Sequence, residues 1–294
     1  MPTNKNKIGL AVGAIIIFVS LVSYVLNILS DDGQVLSGFD FNNENVLEVY
    51  FLDVGQGDST LIRTPASDDI LIDGGPDNTV IKKLGEYMPF YDWDIELMIL
   101  THPHSDHLVG LIEVLERYEV DKILMTGVLH TTDDYLTFLD IIKDKQIPVE
   151  IIDSQRQLTL GDLTINILYS DQSFYQQSVE NLNNTSIVTK LVYGNTSILM
   201  MGDYEDEEKM VEANVDVSAD ILKVGHHGSN NGNNVSFLEA VSPKYAVILV
   251  GADNFYGHPH YRTIRNLEKL DAQIYRTDQD SDVIFYSDGQ DIWR

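Results

Sequence analysis

Apolar and polar positions divide the chain into three regimes. Ile8–Leu29 is almost continuously apolar, relieved only by Gly, Ser, Tyr24 and Asn27. Residues 31–45 are polar and carry glycine, as a linker does. From Val46 onward, short β-prone runs alternate with helical stripes. As a helix, Ile8–Leu29 would reach about 33 Å, enough for a bilayer core of roughly 30 Å. Lys5 and Lys7 precede it and Asp31 and Asp32 follow, an order that leaves the N-terminus in the cytoplasm. The run exceeds a signal peptide's apolar region, and Leu26-Asn27-Ile28-Leu29 offers no small-x-small cleavage site. The expectation is a cell-membrane protein: cytoplasmic tip and single transmembrane anchor over 1–30, linker over 31–45, and an extracytoplasmic domain over 46–294. Cleavage of the anchor would give a secreted form.

Within that domain, Val46–Leu52 is expected as a strand leading into the turn Asp53–Asp58. Thr60–Arg63 and Ile70–Ile72 read as short strands closed by Asp73-Gly74-Gly75-Pro76, and Ile95–Leu100 as a buried strand. Leu108, Leu111, Ile112 and Leu115 form a helical stripe, so residues 101–107 occupy a strand-to-helix turn. Ile123–Met125 is expected as a strand and Asp133–Lys143 as a helix with Tyr135, Phe138, Leu139 and Ile142 on its apolar face. Strands follow at Val149–Ile152, Leu158–Leu160 and Leu163–Tyr169, and Ser186–Tyr193 hairpins through Gly194-Asn195 into Ser197–Met201. An acidic helix over 204–213, strands Ile221–Val224 and Tyr245–Val250, a helix near 262–270, and strands Gln273–Tyr275 and Val283–Tyr286 complete the pattern. This mixture predicts an α/β fold with two sheets face to face and helices outside, an αββα sandwich behind the membrane helix.

Charge narrows the partners. Residues 31–294 hold 17 basic and 46 acidic side chains, a formal charge of −29. Such a body repels polyanions at long range, and no Lys/Arg-rich run offsets this. The absence of cysteine excludes disulfides, thiolate ligands and a cysteine nucleophile.

The chemistry sits in the histidines. Seven of the eight fall into three groups: His102, His104 and His107; His226 and His227; His258 and His260. The first lies in Thr101-His102-Pro103-His104-Ser105-Asp106-His107. Neutral imidazole binds divalent metals well, and carboxylate adds a hard anionic ligand. In an extended loop, residues i and i+2 point the same way, so His102 and His104 can close on one ion. Asp106 and His107, past the bend, can reach a second. Each ligand group lies at a strand's C-terminal end, so the groups could converge on one sheet edge.

The order of these blocks resembles the metallo-β-lactamase fold superfamily, and within it the ComEC-type branch of bacterial DNA-uptake proteins. The resemblance covers about 46–290. It rests on Phe51–Ser59 (FLDVGQGDS), Leu71-Ile72-Asp73-Gly74-Gly75, Thr101–His107, Asn183-Asn184-Thr185-Ser186, Met201-Gly202-Asp203, Lys223–Ser229 (KVGHHGS) and Tyr256-Gly257-His258-Pro259. It implies that His102 and His104 bind one metal, Asp106 and His107 the other, and Asp203 bridges both. His227 would be the last ligand and His226 a substrate-facing group, with the two open to exchange. Asp73 would prop the His-rich loop. Asp58 either orients the turn beside the metals or caps it. Where most members supply a third histidine, this chain has Asn183 and Asn184; His130 is the sole histidine of that interval. An amide oxygen is a harder ligand, which weakens the first site or favours Mn²⁺ over Zn²⁺. His258 could meet a substrate phosphate, and Tyr91, Trp93, Phe255 and Tyr256 could line its mouth. Asp203–Glu208, Asp203 aside, reads as a solvated helix start.

The resemblance implies an enzyme with two divalent ions, Zn or Mn, that share a water and lower its pKa. The hydroxide would attack phosphorus or a carbonyl carbon, with Asp106 orienting it or taking its proton and His226 stabilising the oxyanion. The expected substrate is a phosphodiester: small, from the cell envelope, or nucleic acid. Hydrolysis of an ester, lactone or thioester is the alternative, and a metal-poor binding domain the non-catalytic one.

Overall fold

Residues 45–168 and 173–294 are described by a computed structural model. The first half runs β1 (Leu47–Phe51), β2 (Thr60–Arg63), β3 (Asp69–Ile72), α1 (Thr79–Tyr87), β4 (Asp94–Ile95), β5 (Leu97–Ile99), α2 (Ser105–Arg117), β6 (Glu119–Val120), β7 (Ile123–Met125), α3 (Asp133–Lys145) and β8 (Val149–Ile151). The second runs β9 (Arg156–Leu160), β10 (Leu163–Ile167), β11 (Thr189–Tyr193), β12 (Thr196–Met200), α4 (Glu207–Glu212), β13 (Ile221–Lys223), α5 (Val235–Val241), β14 (Tyr245–Ile248), α6 (Tyr261–Glu268), β15 (Gln273–Arg276), α7 (Thr277–Asp280), β16 (Val283–Ser287) and β17 (Ile292–Trp293).

Two large sheets result, in the orders β17-β16-β1-β2-β3-β5-β7-β8 and β15-β14-β13-β12-β11-β10-β9. Strand β16 returns from the far end of the chain to pair antiparallel with β1, Val49 opposite Phe285. Alternation within each strand builds the layers. Leu47, Val49 and Phe51 of β1 point into the core between the sheets, where they meet Ile165, Leu191, Ile198, Val247 and Phe285. Tyr50 and Leu52, one residue out of phase, face Val80 and Leu84 of α1, Leu108, Leu111 and Leu115 of α2, and Phe138 of α3. The second sheet turns Leu222, Ala246 and Ile248 outward onto Met210 of α4, Phe237 and Leu238 of α5 and Leu267 of α6. Four layers, αββα, therefore stack around three cores. Each large apolar side chain so buried stabilises the fold by about 1.5–3 kcal/mol.

Helices α1 and α5 go beyond the sequence expectation. Val80 and Leu84, four apart, carry α1 onto the sheet, and Phe237, Leu238 and Val241 do the same for α5. Both are short, so the repeat is brief. The expected strand from Ser186 begins at Thr189, because Asn183–Thr185 forms a 3₁₀ turn. The acidic helix is confined to Glu207–Glu212.

The membrane expectation is corrected. Among the described residues no helix is long and apolar enough to cross a membrane. Ile8–Leu29, on which that expectation fell, lies outside the described residues, as does the linker up to residue 44. The described residues thus form an αββα sandwich, and none of their helices spans a membrane. The membrane partner and single-pass localisation inferred from that helix are withdrawn with it.

Candidate metal centre

The ligand-bearing loops follow strands β1, β3, β5, β12, β13 and β14, and they are wedged together by close backbone approach. A Cβ on Gly57 would lie 2.2 Å from the Asp106 carbonyl oxygen, and one on Gly110 would lie 1.9 Å from the Gly74 carbonyl oxygen. Glycine at both positions lets the turn after β1 and the turn after β3 press onto the first turns of α2. Asp58 N–H donates to the Asp106 carbonyl (3.1 Å), and Gly74 N–H to that of His107 (2.7 Å).

Asp203 is the hub. Its Oδ2 lies 3.3 Å from His107 Nε2, 3.6 Å from His227 Nε2, 3.7 Å from His226 Nε2 and 3.9 Å from His102 Nε2. His102 Nε2 and His104 Nδ1 stand 2.9 Å apart, and His227 Nε2 is 3.2 Å from Asp106 Oδ2. Donor atoms of Asp106, His107, Asp203 and His227 all lie within 4.8 Å of one another. His102, His107, Asp203 and His227 are almost fully buried.

The imidazoles of His102, His107 and His227 are each held by the other nitrogen, as a metal-binding histidine requires. His107 Nδ1 donates to Asp73 Oδ2 (2.7 Å), and His227 Nδ1 to the Leu249 carbonyl (2.8 Å). His102 Nδ1 is 3.2 Å from both the Thr101 and Ser186 hydroxyls. Asp73 also accepts from the Thr101 N–H (2.8 Å) and hydroxyl (2.7 Å), which fixes the start of the His-rich loop. Asp73, His226 and His227 all have left-handed backbones, with φ of 57°, 47° and 50°. Such conformations cost about 1–3 kcal/mol each and concentrate at functional sites. Here the consecutive pair turns two imidazoles toward Asp203.

The pair is not symmetric. His227 belongs to the donor cluster, whereas His226 is partly exposed and its Nδ1 contacts Glu205 Oε1 at 2.6 Å. Glu205 also accepts from Asn181 and Asn231 at 2.9 Å each. Asn183 turns its NH₂ toward Glu205 Oε1 (3.4 Å) and His226 Nδ1 (3.3 Å), leaving its Oδ1 buried and unpartnered. Asn184 faces elsewhere, its Oδ1 accepting the Glu205 N–H (3.0 Å).

Asp58 sits behind the centre, its Oδ1 3.3 Å from His227 Nδ1 and its Oδ2 ion-paired with Lys223. A cavity of about 250 Å³ opens on the other side, lined by Gln56, His104, Ser105, Asp106, Asn183, Asp203, His226, His227, Tyr256 and His258. His258 stacks on Tyr256, ring centroids 5.7 Å apart. His130 contacts Tyr135 instead, and the exposed Tyr91 and Trp93 stand before β5, at the end remote from its His-rich loop. The reading of 203–208 as solvated is corrected: Glu207 is fully buried and accepts the Asn233 N–H (2.7 Å). Sequence reasoning gave no role to Glu205, Glu207, Lys223, Thr101 or Ser186, and burial opposite the ligands is the signal that exposes them.

Electrostatics keep Asp203 and Asp58 ionised. Burial would raise Asp203 and Asp58, but the surrounding cations outweigh it and hold both below the usual range. Burial holds His102 and His104 down as neutral donors. At His227 burial is outweighed by Asp203 and Asp58, which push it up to about 10. His107 rises for the same reason, through Asp203, Asp73 and Asp106. Asp73 itself is raised by burial.

The residues fit a divalent ion. His107 Nε2, Asp203 Oδ1 and Asn183 Oδ1 are buried without hydrogen-bond partners, a condition that costs about 1–3 kcal/mol per group unless something meets it. Nitrogen and carboxylate donors in this arrangement suit Zn²⁺ or Mn²⁺.

A profile of the metallo-beta-lactamase superfamily matches residues 52–252. The chain belongs to that superfamily. It is 28% identical over 255 residues to ComE operon protein 3 of Bacillus subtilis (strain 168), an alignment that takes in 80% of this chain. The chain spans only 32% of that relative's length. Among solved structures, the metallo-beta-lactamase fold protein YhfI from Bacillus subtilis superposes with a TM-score of 0.55 at 13% identity, covering 83% of this chain and all (100%) of that one. Tm1679, a metal-dependent hydrolase of the beta-lactamase superfamily, gives 0.53 at 12% identity, over 81% of this chain and 98% of the other. Likeness at such identities shows the shared fold. Within this superfamily, the clustered histidines and carboxylates form a dinuclear centre for divalent metal ions, and the chain is a metal-dependent hydrolase.

Proposed function

We propose that this hydrolase cleaves a phosphodiester, and that it stands with the ComEC-type branch of its superfamily. The observation that carries the reading is the pair His226 and His258, ring centroids 5.3 Å apart, on the open side of the Asp203 hub. A tetrahedral phosphorus offers two non-bridging oxygens that need donors; a planar carbonyl offers one. Among the described residues no lysine or arginine lines the cavity, so the preferred substrate has one phosphate at the site and few beyond it. A small diester suits a chain of formal charge −27 better than an extended polyanion.

His102, His104 and Asn183 would hold one ion, Asp106, His107 and His227 the other, and Asp203 both. When bound, two divalent ions supply Lewis acidity and an activated water beside the phosphorus. Asp106, in the first turn of α2, would orient the attacking water. His226, fixed by Glu205, donates to the oxygen on which charge develops, and such donors contribute about 100- to 1,000-fold. His258 donates to the second non-bridging oxygen, and Tyr256 lines the rim where the departing group leaves.

The test is turnover of bis-p-nitrophenyl phosphate by the purified chain with Mn²⁺ or Zn²⁺. We expect metal-dependent release of nitrophenol, lost about 100-fold or more in Asp203→Ala. Hydrolysis of p-nitrophenyl acetate or a lactone without any of the diester would overturn the reading.

A further inference from the structure

We propose that Lys223 is a positioning residue of the metal centre, clamping the bridging carboxylate and a ligand histidine from behind. Lys223 ends β13 with its side chain 1% exposed. Its ammonium contacts three groups. It pairs with Asp58 Oδ2, donates to the Gly202 carbonyl at 2.9 Å, and lies 3.9 Å from Asp203 Oδ1. Asp58 belongs to the turn after β1, in the opposite sheet, so the cation ties the two sheets together under the site. Gly202 immediately precedes Asp203, so holding its carbonyl fixes the direction in which the Asp203 side chain leaves the backbone.

Asp58 extends the effect. Its Oδ1 is 3.3 Å from His227 Nδ1 and its Oδ2 is 3.9 Å from His107 Nδ1, yet both rings donate elsewhere, to Leu249 and Asp73. A carboxylate without its cation at this spot would draw those ring N–H groups toward itself and rotate Nε2 away from the hub. Lys223 neutralises Asp58 where it stands. A buried charge stripped of its partner is strongly destabilising, so the pair acts as one unit. Outer partners of metal ligands typically contribute 10- to 100-fold in metal affinity. The inference rests on the metal pair and is independent of the phosphodiester reading.

The test is metal affinity, measured on the full chain by competition of Mn²⁺ and of Zn²⁺ against a chromophoric chelator. Lys223→Met should lose about 10-fold or more in affinity, and Lys223→Arg should recover much of it. Should Lys223→Met not fold, Asp58→Asn/Lys223→Met removes both charges together and tests the hold on the Gly202 carbonyl alone. A folded double variant with weakened affinity supports the clamp. Wild-type affinity in either folded variant overturns it, because a merely structural cation would leave metal binding unchanged. The readout needs no substrate, so failure of the diesterase assay leaves this result interpretable.

Discussion

Asn183 illustrates how one residue can set the character of a metal site. Its amide NH₂ is turned toward the Glu205 carboxylate, which leaves the oxygen buried and without a partner. Oxygen is a harder donor than imidazole, so the first site should favour Mn²⁺ relative to a site with three histidines. Asn183→His is expected to shift the preference toward Zn²⁺ by about 10-fold, read from competitive titration of the two metals. An unchanged ratio would remove Asn183 from the ligand set. At this scale the sequence was highly legible for ligands, since His-x-His-x-Asp-His compresses four donors into one loop. Their supports were not legible. Ser186 meets His102 across 84 positions, and Glu205 meets His226 across 21. Nothing local marks either residue, and an acidic stretch looks the same in solvent as in a polar pocket.

Among the elements, α4 does more than cover the second sheet. Its first residue, Glu207, is buried and receives the backbone N–H of Asn233 and Asn234 (2.7 and 3.4 Å), pinning the loop after His226 and His227. Burial pushes its carboxyl from 4.5 up to about 8. The unfolded chain releases this proton near 4.5 while the folded protein keeps it until about 8, so stability should fall as pH rises through that window. Glu207→Gln removes the proton exchange. Urea denaturation from pH 5 to 8 should give a flatter stability profile for the variant, by up to about 1.4 kcal/mol per pH unit. Parallel profiles would contradict this account. Asp69, raised to about 7 by burial against Arg63, contributes with the same sign in both proteins and cancels in the comparison. Helices α1 and α5 show why short elements escape a periodicity reading. With nine and seven residues, they offer about two and a half and about two turns, and tertiary burial decides them.

Over the whole molecule, the two-sheet architecture followed from the mixture of short β-prone runs with interspersed helical stripes, because sheets and helices that each carry an apolar face must cover one another. The membrane helix did not follow in the same way, since it rested on the hydropathy of residues outside the described structure. The acidic body and the buried donor cluster have a joint consequence. A divalent ion that binds only the folded state stabilises it by mass action, about 2.7 kcal/mol at 100 times its Kd. Adding Mn²⁺ or Zn²⁺ to chelator-treated protein should raise the melting temperature by several degrees, and Asp203→Ala should abolish most of the rise. Equal rises in both proteins would mean that the ions bind the acidic surface instead.

The central claim is that seven side chains from both sheets converge on two ions. Anomalous diffraction from crystals grown with Mn²⁺ or Zn²⁺ tests it most directly. The account predicts two peaks about 3.5–4 Å apart, flanking the Asp203 carboxylate, one beside His102 and His104 and the other beside Asp106, His107 and His227. A single peak remote from Asp203, or none at this hub, would contradict it.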